Sequence, residues 1–167
     1  MANHCYNWVS FSGKNLEPLK KLLNEAVEEN EGGYGWMADS FKQPLGQMGT
    51  RYLFDVEFSD HGEHITMTCN TKWAPPICEL KHLCEIAEVG CECTYDELGN
   101  GIYGKYEYNF DTKVESDIFL TDDEINRVSY NKEEGMYYLD GEVLESDGEG
   151  YQLILEEKID KLNLEEA

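Results

Sequence analysis

Residues 5–11, CYNWVSF, put Cys5, Asn7, Val9 and Phe11 on one side of the chain and Tyr6, Trp8 and Ser10 on the other. A two-residue alternation of this kind is a strand signal. SGKN breaks it. Leu16, Leu19, Leu23 and Ala26 then recur at helical spacing, joined by Leu22 and Val27. Asn15 is placed to cap this helix, and Pro18 falls in its first turn, where a missing N–H costs little. The helix should end near residues 29–31, before Gly32 and Gly33. Residues 32–49 are rich in Gly, Met and aromatics and read as a loop, of a length that is functional or mobile in a compact domain.

Tyr52, Phe54, Val56 and Phe58 alternate with Leu53, Asp55 and Glu57. After the turn SDHGEH, Ile65, Met67 and Cys69 alternate with threonines, so 52–58 and 64–70 predict an antiparallel hairpin. Pro75 and Pro76 cannot continue a central strand but suit the first turn of a helix. Ile77, Leu80, Cys84 and Ala87 mark that helix. Val89 to Tyr95 and Ile102 to Tyr108 predict two more strands around the turn ELGNG. The first six elements run β-α-β-β-α-β. The expected fold is therefore α+β: a ferredoxin-like antiparallel sheet with two helices on one face, over residues 1–110. That name implies no iron–sulfur cluster, because the cysteine spacings match no cluster pattern.

Residues 111–167 read as an acidic α/β extension packed on the same domain. FDTKVESDIFL holds a short strand, and Thr121 with Glu124 matches a capping box. Asp140–Gly141 is a hairpin signal, and YQLILEEKIDKLNL predicts a terminal helix.

Charge changes the picture more than composition does. Among 167 residues, 35 acids face 13 bases, for a net charge of −22. Residues 1–50, 51–110 and 111–167 carry about −2, −7 and −13. Direct nucleic-acid binding, which calls for a basic face, is disfavoured. The acidity fits a solvated surface, or one that docks on a basic partner or imitates nucleic-acid phosphates. Glu115, Asp117, Asp122, Asp123, Glu124, Glu145, Asp147 and Glu149 are the candidate acidic partner surface. No apolar run approaches the roughly 18 residues of a membrane span. MANHCYNWVS lacks the pattern of a secretion signal, so a cytosolic protein with six reduced cysteines is expected.

Catalytic and metal motifs are weak. His4, His61, His64 and His82 lack the paired spacing of a zinc site. Residues 145–156 imitate a calcium loop but begin with Glu145 and carry Gln152 at an apolar position. There is no nucleophile elbow or phosphate-binding loop. No catalytic residue, metal or cofactor is assigned. Thr71, Lys72 and Trp73 lie where a strand hands over to a helix. There free N–H groups, a cation and a stacking face could serve a ligand, or the same residues could be only the join. With Trp36 they define an alternative aromatic pocket.

CYNWVSFSG before a leucine-rich helix, then TKWAPP before a helix, a tyrosine-containing strand and IYGKY, resemble the YubB ferredoxin-like family over roughly residues 3–110. The resemblance implies the fold already read and an origin on phages, plasmids or other mobile elements. It supplies no catalytic residues. The expected function is thus a non-enzymatic acidic interaction protein that binds and blocks a host protein with a basic surface. The alternatives are a small-ligand binder using Trp36 and Trp73, and an enzyme of unrecognised chemistry. An open sheet edge would also permit strand-paired homodimers.

Overall fold

The computed structural model describes residues 4–38 and 52–166. In chain order it contains β1 (His4–Ser12), α1 (Glu17–Glu31), β2 (Phe54–Asp60), β3 (His64–Lys72), α2 (Ile77–Ala87), β4 (Gly90–Glu97), β5 (Ile102–Asn109) and β6 (Val114–Phe119). α3 (Asp122–Ile125), β7 (Val128–Asn131), β8 (Met136–Leu139), β9 (Glu142–Leu144) and α4 (Asp147–Glu166) follow. The main sheet is antiparallel with strand order β2-β3-β1-β4-β5-β6. Its first four strands and two helices form the ferredoxin-like arrangement, and the fold class is α+β, as the alternation predicted.

The alternating residues explain which face each strand buries. Cys5, Val9 and Phe11 of β1, Ile65, Met67 and Cys69 of β3, and Cys91, Cys93 and Tyr95 of β4 are buried with Leu19, Leu23 and Ala26 of α1 and Leu80, Leu83 and Cys84 of α2. Polar groups enter the interior too, Asn7 and Thr71 among them. Asn7 Nδ2 lies 3.0 Å from the Cys5 carbonyl, 3.2 Å from the Cys69 carbonyl and 3.1 Å from Thr71 Oγ1.

The sheet continues past residue 110, because β6 pairs with β5 from Asn109↔Val114 to Gly104↔Phe119. A second, smaller core forms on the opposite face. Tyr103 and Ile118 meet Leu120, Ile154 and Leu155 there. The β7-β8-β9 sheet packs beside α4. Gly150 permits the approach, since a Cβ on it would lie 2.6 Å from Val128 Cγ2.

Several local expectations shift. Asn15 does accept a hydrogen bond from the Glu17 N–H (3.1 Å), but Leu16 holds the N-cap position. Pro76 is the N-cap of α2 rather than part of its first turn. Residues from Asp147 onward are helical, so the 145–156 stretch cannot wrap a calcium ion. The β7 strand was not anticipated. The 32–49 loop is described only to residue 38, where Trp36 and Leu53 form an isolated bridge, and the remainder lies outside the described residues.

Candidate interaction surface

α1 and α2 cover one face of the sheet, and the α4 module packs on the other over β5 and β6. The middle of that outer face is open. Its residues stand in rows fixed by the strand register. One row reads Phe54, Asn70, Tyr6, Asp96 and Tyr103; the next reads Glu57, Thr68, Trp8, Thr94 and Lys105. A third holds Thr66, Ser10, Glu92 and Glu107. Tyr6 and Trp8 are 50% and 46% exposed, with ring centroids 6.4 Å apart. A half-exposed aromatic pair on uncharged threonines is a flat apolar floor with hydrogen-bonding capacity around it.

Carboxylates rim this floor, and they differ in how far they are neutralised. Lys105 bridges Glu92 (3.2 Å) and Glu107. Asp96 is partly buried, on β4 between Tyr6 and Tyr103. Burial raises its pKa above the ordinary carboxyl value, and repulsion from Asp147 and then Glu97 adds to the rise. No cation pairs with Asp96 among the described residues.

The structure separates the four tentative ligand residues. Trp36 is 5% exposed and belongs to the main core. Thr71 is fully buried; its hydroxyl donates to the Ala74 carbonyl at 2.8 Å and so fixes the turn after β3. Lys72 sits 5.5 Å over the Phe54 ring. Trp73 is 53% exposed and adopts φ +73, a left-handed conformation that costs a tryptophan energy. Only Lys72 and Trp73 are presented to solvent, at the end of the sheet that also carries Tyr6. The join reading explains Thr71 and the prolines.

The eight tentative acids do not share a face either. Glu115 and Asp117 point to the helix side of β6. There Glu115 accepts from Lys81 (3.0 Å) and the Tyr106 hydroxyl (2.9 Å), and Asp117 accepts from the Tyr95 hydroxyl (2.6 Å). Glu124 closes the capping box on Thr121 and pairs with Lys158 at 2.7 Å. Glu149 accepts the Glu145 N–H. Asp122, Asp123 and Glu145 are exposed, and Asp147 is partly buried at the start of α4, where it accepts the Gly148 N–H at 2.8 Å.

Other chemistry is sparse. Burial pushes the Cys69 thiol up to about 12 and raises Cys93 as well, so these thiols are protonated and poor nucleophiles. The His61 and His64 rings stack at 4.6 Å across their turn. Among the described residues no cluster of three metal-ligating side chains is arranged around a common point, and no helix is long and apolar enough to cross a membrane. A cleft of about 810 Å³ lies at the far end of the sheet, lined by Lys14, Ile86, Glu88, Tyr108, Phe110 and Val114, and away from both Trp36 and Trp73.

The surface residues that sequence reasoning did not single out are Tyr6, Trp8 and Asp96. The signal was present in the β1 alternation, which gave Tyr6 and Trp8 a common side without saying what covered it.

Comparison with the curated proteins and with the solved structures found no match. A family model described as the ferredoxin-like domain in Api92-like proteins matches residues 53–140, more than half of the chain. The matched stretch runs from the start of β2 to the turn after β8, and so includes β3 and β4 of the open face. The chain belongs to the family of ferredoxin-like domains in Api92-like proteins.

Proposed function

We propose that this protein is a non-enzymatic binding protein that docks its open sheet face onto a basic surface of a partner protein. The carrying observation is the half-exposed Tyr6–Trp8 pair at the centre of an uncharged floor with a carboxylate rim. Interfaces concentrate binding energy in central aromatics, while rim charges steer the encounter and select the partner. A net charge of −22 favours a basic partner and opposes nucleic acid. Imitation of nucleic acid by charge alone fits less well, because Glu115, Asp117, Glu124 and Glu149 are spent on internal contacts. The likeness of CYNWVSFSG and TKWAPP to YubB ferredoxin-like proteins supports the finer reading. In it, the chain comes from a mobile element and blocks a host protein in the cytosol.

The test is capture from bacterial lysate on immobilised wild type and on Trp8→Ala, with elution by salt. A basic protein held by wild type and lost by Trp8→Ala is the expected result. Equal retention by both, or retention of nothing, contradicts the docking reading.

The 810 Å³ cleft favours a second reading, a small-ligand site at the opposite end of the sheet from Trp73. Its size falls in the range of ligand pockets, and Tyr108, Phe110 and Ile86 give it an apolar wall. Native mass spectrometry of protein purified from cells decides this: a carried small molecule supports it, and the bare chain mass counts against it.

A further inference from the structure

We infer that the open face takes a proline-rich, basic segment of the partner in the polyproline II conformation. The segment lies across the strands along the Trp8 row, with one proline on the Tyr6–Trp8 pair and an arginine or lysine at Glu57. This rests on the docking reading and specifies what the partner must bring.

Spacing is the first argument. The row that crosses the strands at Trp8 runs Glu57, Thr68, Trp8, Thr94 and Lys105. Its two ends differ. Lys105 already bridges Glu92 and Glu107, whereas Glu57 is exposed and no cation pairs with it among the described residues. Glu57 on β2 stands two strands from Trp8 on β1, with β3 between them, a span of about 9.5 Å at the usual strand separation. A polyproline II helix turns once in about three residues and rises about 3.1 Å per residue, so positions i and i+3 share one face about 9.3 Å apart. A proline over Trp8 and a cation over Glu57 therefore match the row. The Tyr6 and Trp8 rings, 6.4 Å apart with 32° between their planes, form a shallow seat for a pyrrolidine ring.

Hydrogen bonding is the second. The Tyr6 hydroxyl, the Trp8 indole N–H and the Thr68 and Thr94 hydroxyls make no hydrogen bond to any described residue, so the floor offers donors. A polyproline II chain has no internal hydrogen bonds and presents its carbonyls as acceptors, while its prolines bring no N–H that needs a partner. A helix spends its carbonyls internally and seeks an apolar groove for anchors along one stripe. Here the floor is flat, and threonines interrupt its rings. An added strand would use a sheet edge and leave Tyr6 and Trp8 uncovered. The surrounding negative charge selects a basic version of the segment.

The probe is a short proline-rich peptide with one arginine a single polyproline II turn from a proline. It is compared with two counterparts, one with glutamine for the arginine and one with Gly and Ser for the prolines. Each is titrated into isotope-labelled protein and followed by amide chemical shifts. The arginine-containing proline peptide should move Tyr6, Trp8, Thr68 and Glu57. The Gly/Ser counterpart should bind roughly tenfold more weakly, because it lacks the preformed conformation. Trp8→Ala should abolish binding of both proline peptides. Glu57→Gln, an exposed change that should keep the fold, should weaken the arginine peptide roughly threefold and leave the glutamine peptide unchanged. The remote control Asp122→Asn, Asp123→Asn should have a smaller effect than Glu57→Gln at physiological salt. Equal binding of the Gly/Ser and proline peptides, shifts confined to other residues, or no binding of any peptide overturns the proline-rich assignment. An equal effect of Glu57→Gln on both proline peptides overturns the placement of the cation. A basic partner captured from lysate, lost by Trp8→Ala and not displaced by the proline peptide overturns the assignment while the docking reading stands. The absence of any such partner overturns the docking reading itself.

Discussion

Single residues carry unequal weight in this molecule, and two of them can be tested without any partner. Asn7 is 1% exposed and joins β1 to β3 beneath the sheet through its amide. Replacing it with alanine removes the donor that reaches the Cys69 carbonyl and Thr71 Oγ1 and leaves a void, at a cost of about 2–4 kcal/mol. Urea unfolding should show the loss as a lower midpoint at unchanged slope. Gly104 has the opposite problem. A Cβ there would lie 2.4 Å from the Tyr95 hydroxyl and 2.8 Å from the Ile118 carbonyl. Gly104→Ala must therefore push Tyr95 off Asp117 and strain the β5–β6 pairing, costing about 1–3 kcal/mol. The same unfolding assay checks it, and an unchanged midpoint would mean that the strands shift freely. Trp8→Ala should cost less than Asn7→Ala in that assay and keep the fold, because about half of the ring is already exposed. Any effect it has on binding is then an effect on the surface.

Among elements, legibility followed pattern strength. β1 and β3 alternate without a break over nine residues each, and both were readable. β7 is four residues of mixed polarity, VSYN, held by its pairing with β8, so no local signal marks it. α4 starts earlier than its hydrophobic spacing shows, since Asp147 and Glu149 suit a helix N-terminus while Gly148 and Gly150 read as a turn. Trp36 was misplaced for a related reason: its burial comes from the bridge to Leu53, a contact across the sheet edge that no spacing rule reveals. The Tyr6–Trp8 face was visible as an alternation, but its exposure depends on how far α4 reaches across the sheet. One element test concerns the capping box. Thr121 accepts from the Glu124 N–H, while Glu124 reaches back to Thr121 and onward to Lys158. Thr121→Ala should cost about 1 kcal/mol. It should also speed amide hydrogen exchange in residues 121–126 before it affects the main sheet.

The whole molecule answers to pH and salt through its acids. Lys81 and the Tyr106 hydroxyl hold Glu115 below its ordinary value; Lys161 and Arg127 do the same for Glu157, and Lys20 and the Gly62 N–H for Asp60. Each folded value lies below the unfolded one, so each contributes stability above the ordinary carboxyl range and loses it as pH falls through the lowered value. Asp96 runs the other way: its folded value is raised, so protonation on acidification relieves a penalty. The three lowered groups outnumber it. The melting temperature should hold from neutral pH down to about pH 5 and fall below about pH 4, as a calorimetric series at fixed ionic strength would register. Asp96→Asn should melt no lower than wild type at pH 7. The topology also has a consequence for how the molecule forms. β1 is an inner strand whose partners, β3 and β4, are completed only at Lys72 and Glu97. At a synthesis rate of about 5–20 residues per second, CYNWVSF waits roughly 3–12 seconds for its first neighbour, with both its edges and its apolar side unpaired. The segment at the centre of the finished sheet is thus open to a nascent-chain chaperone throughout that wait.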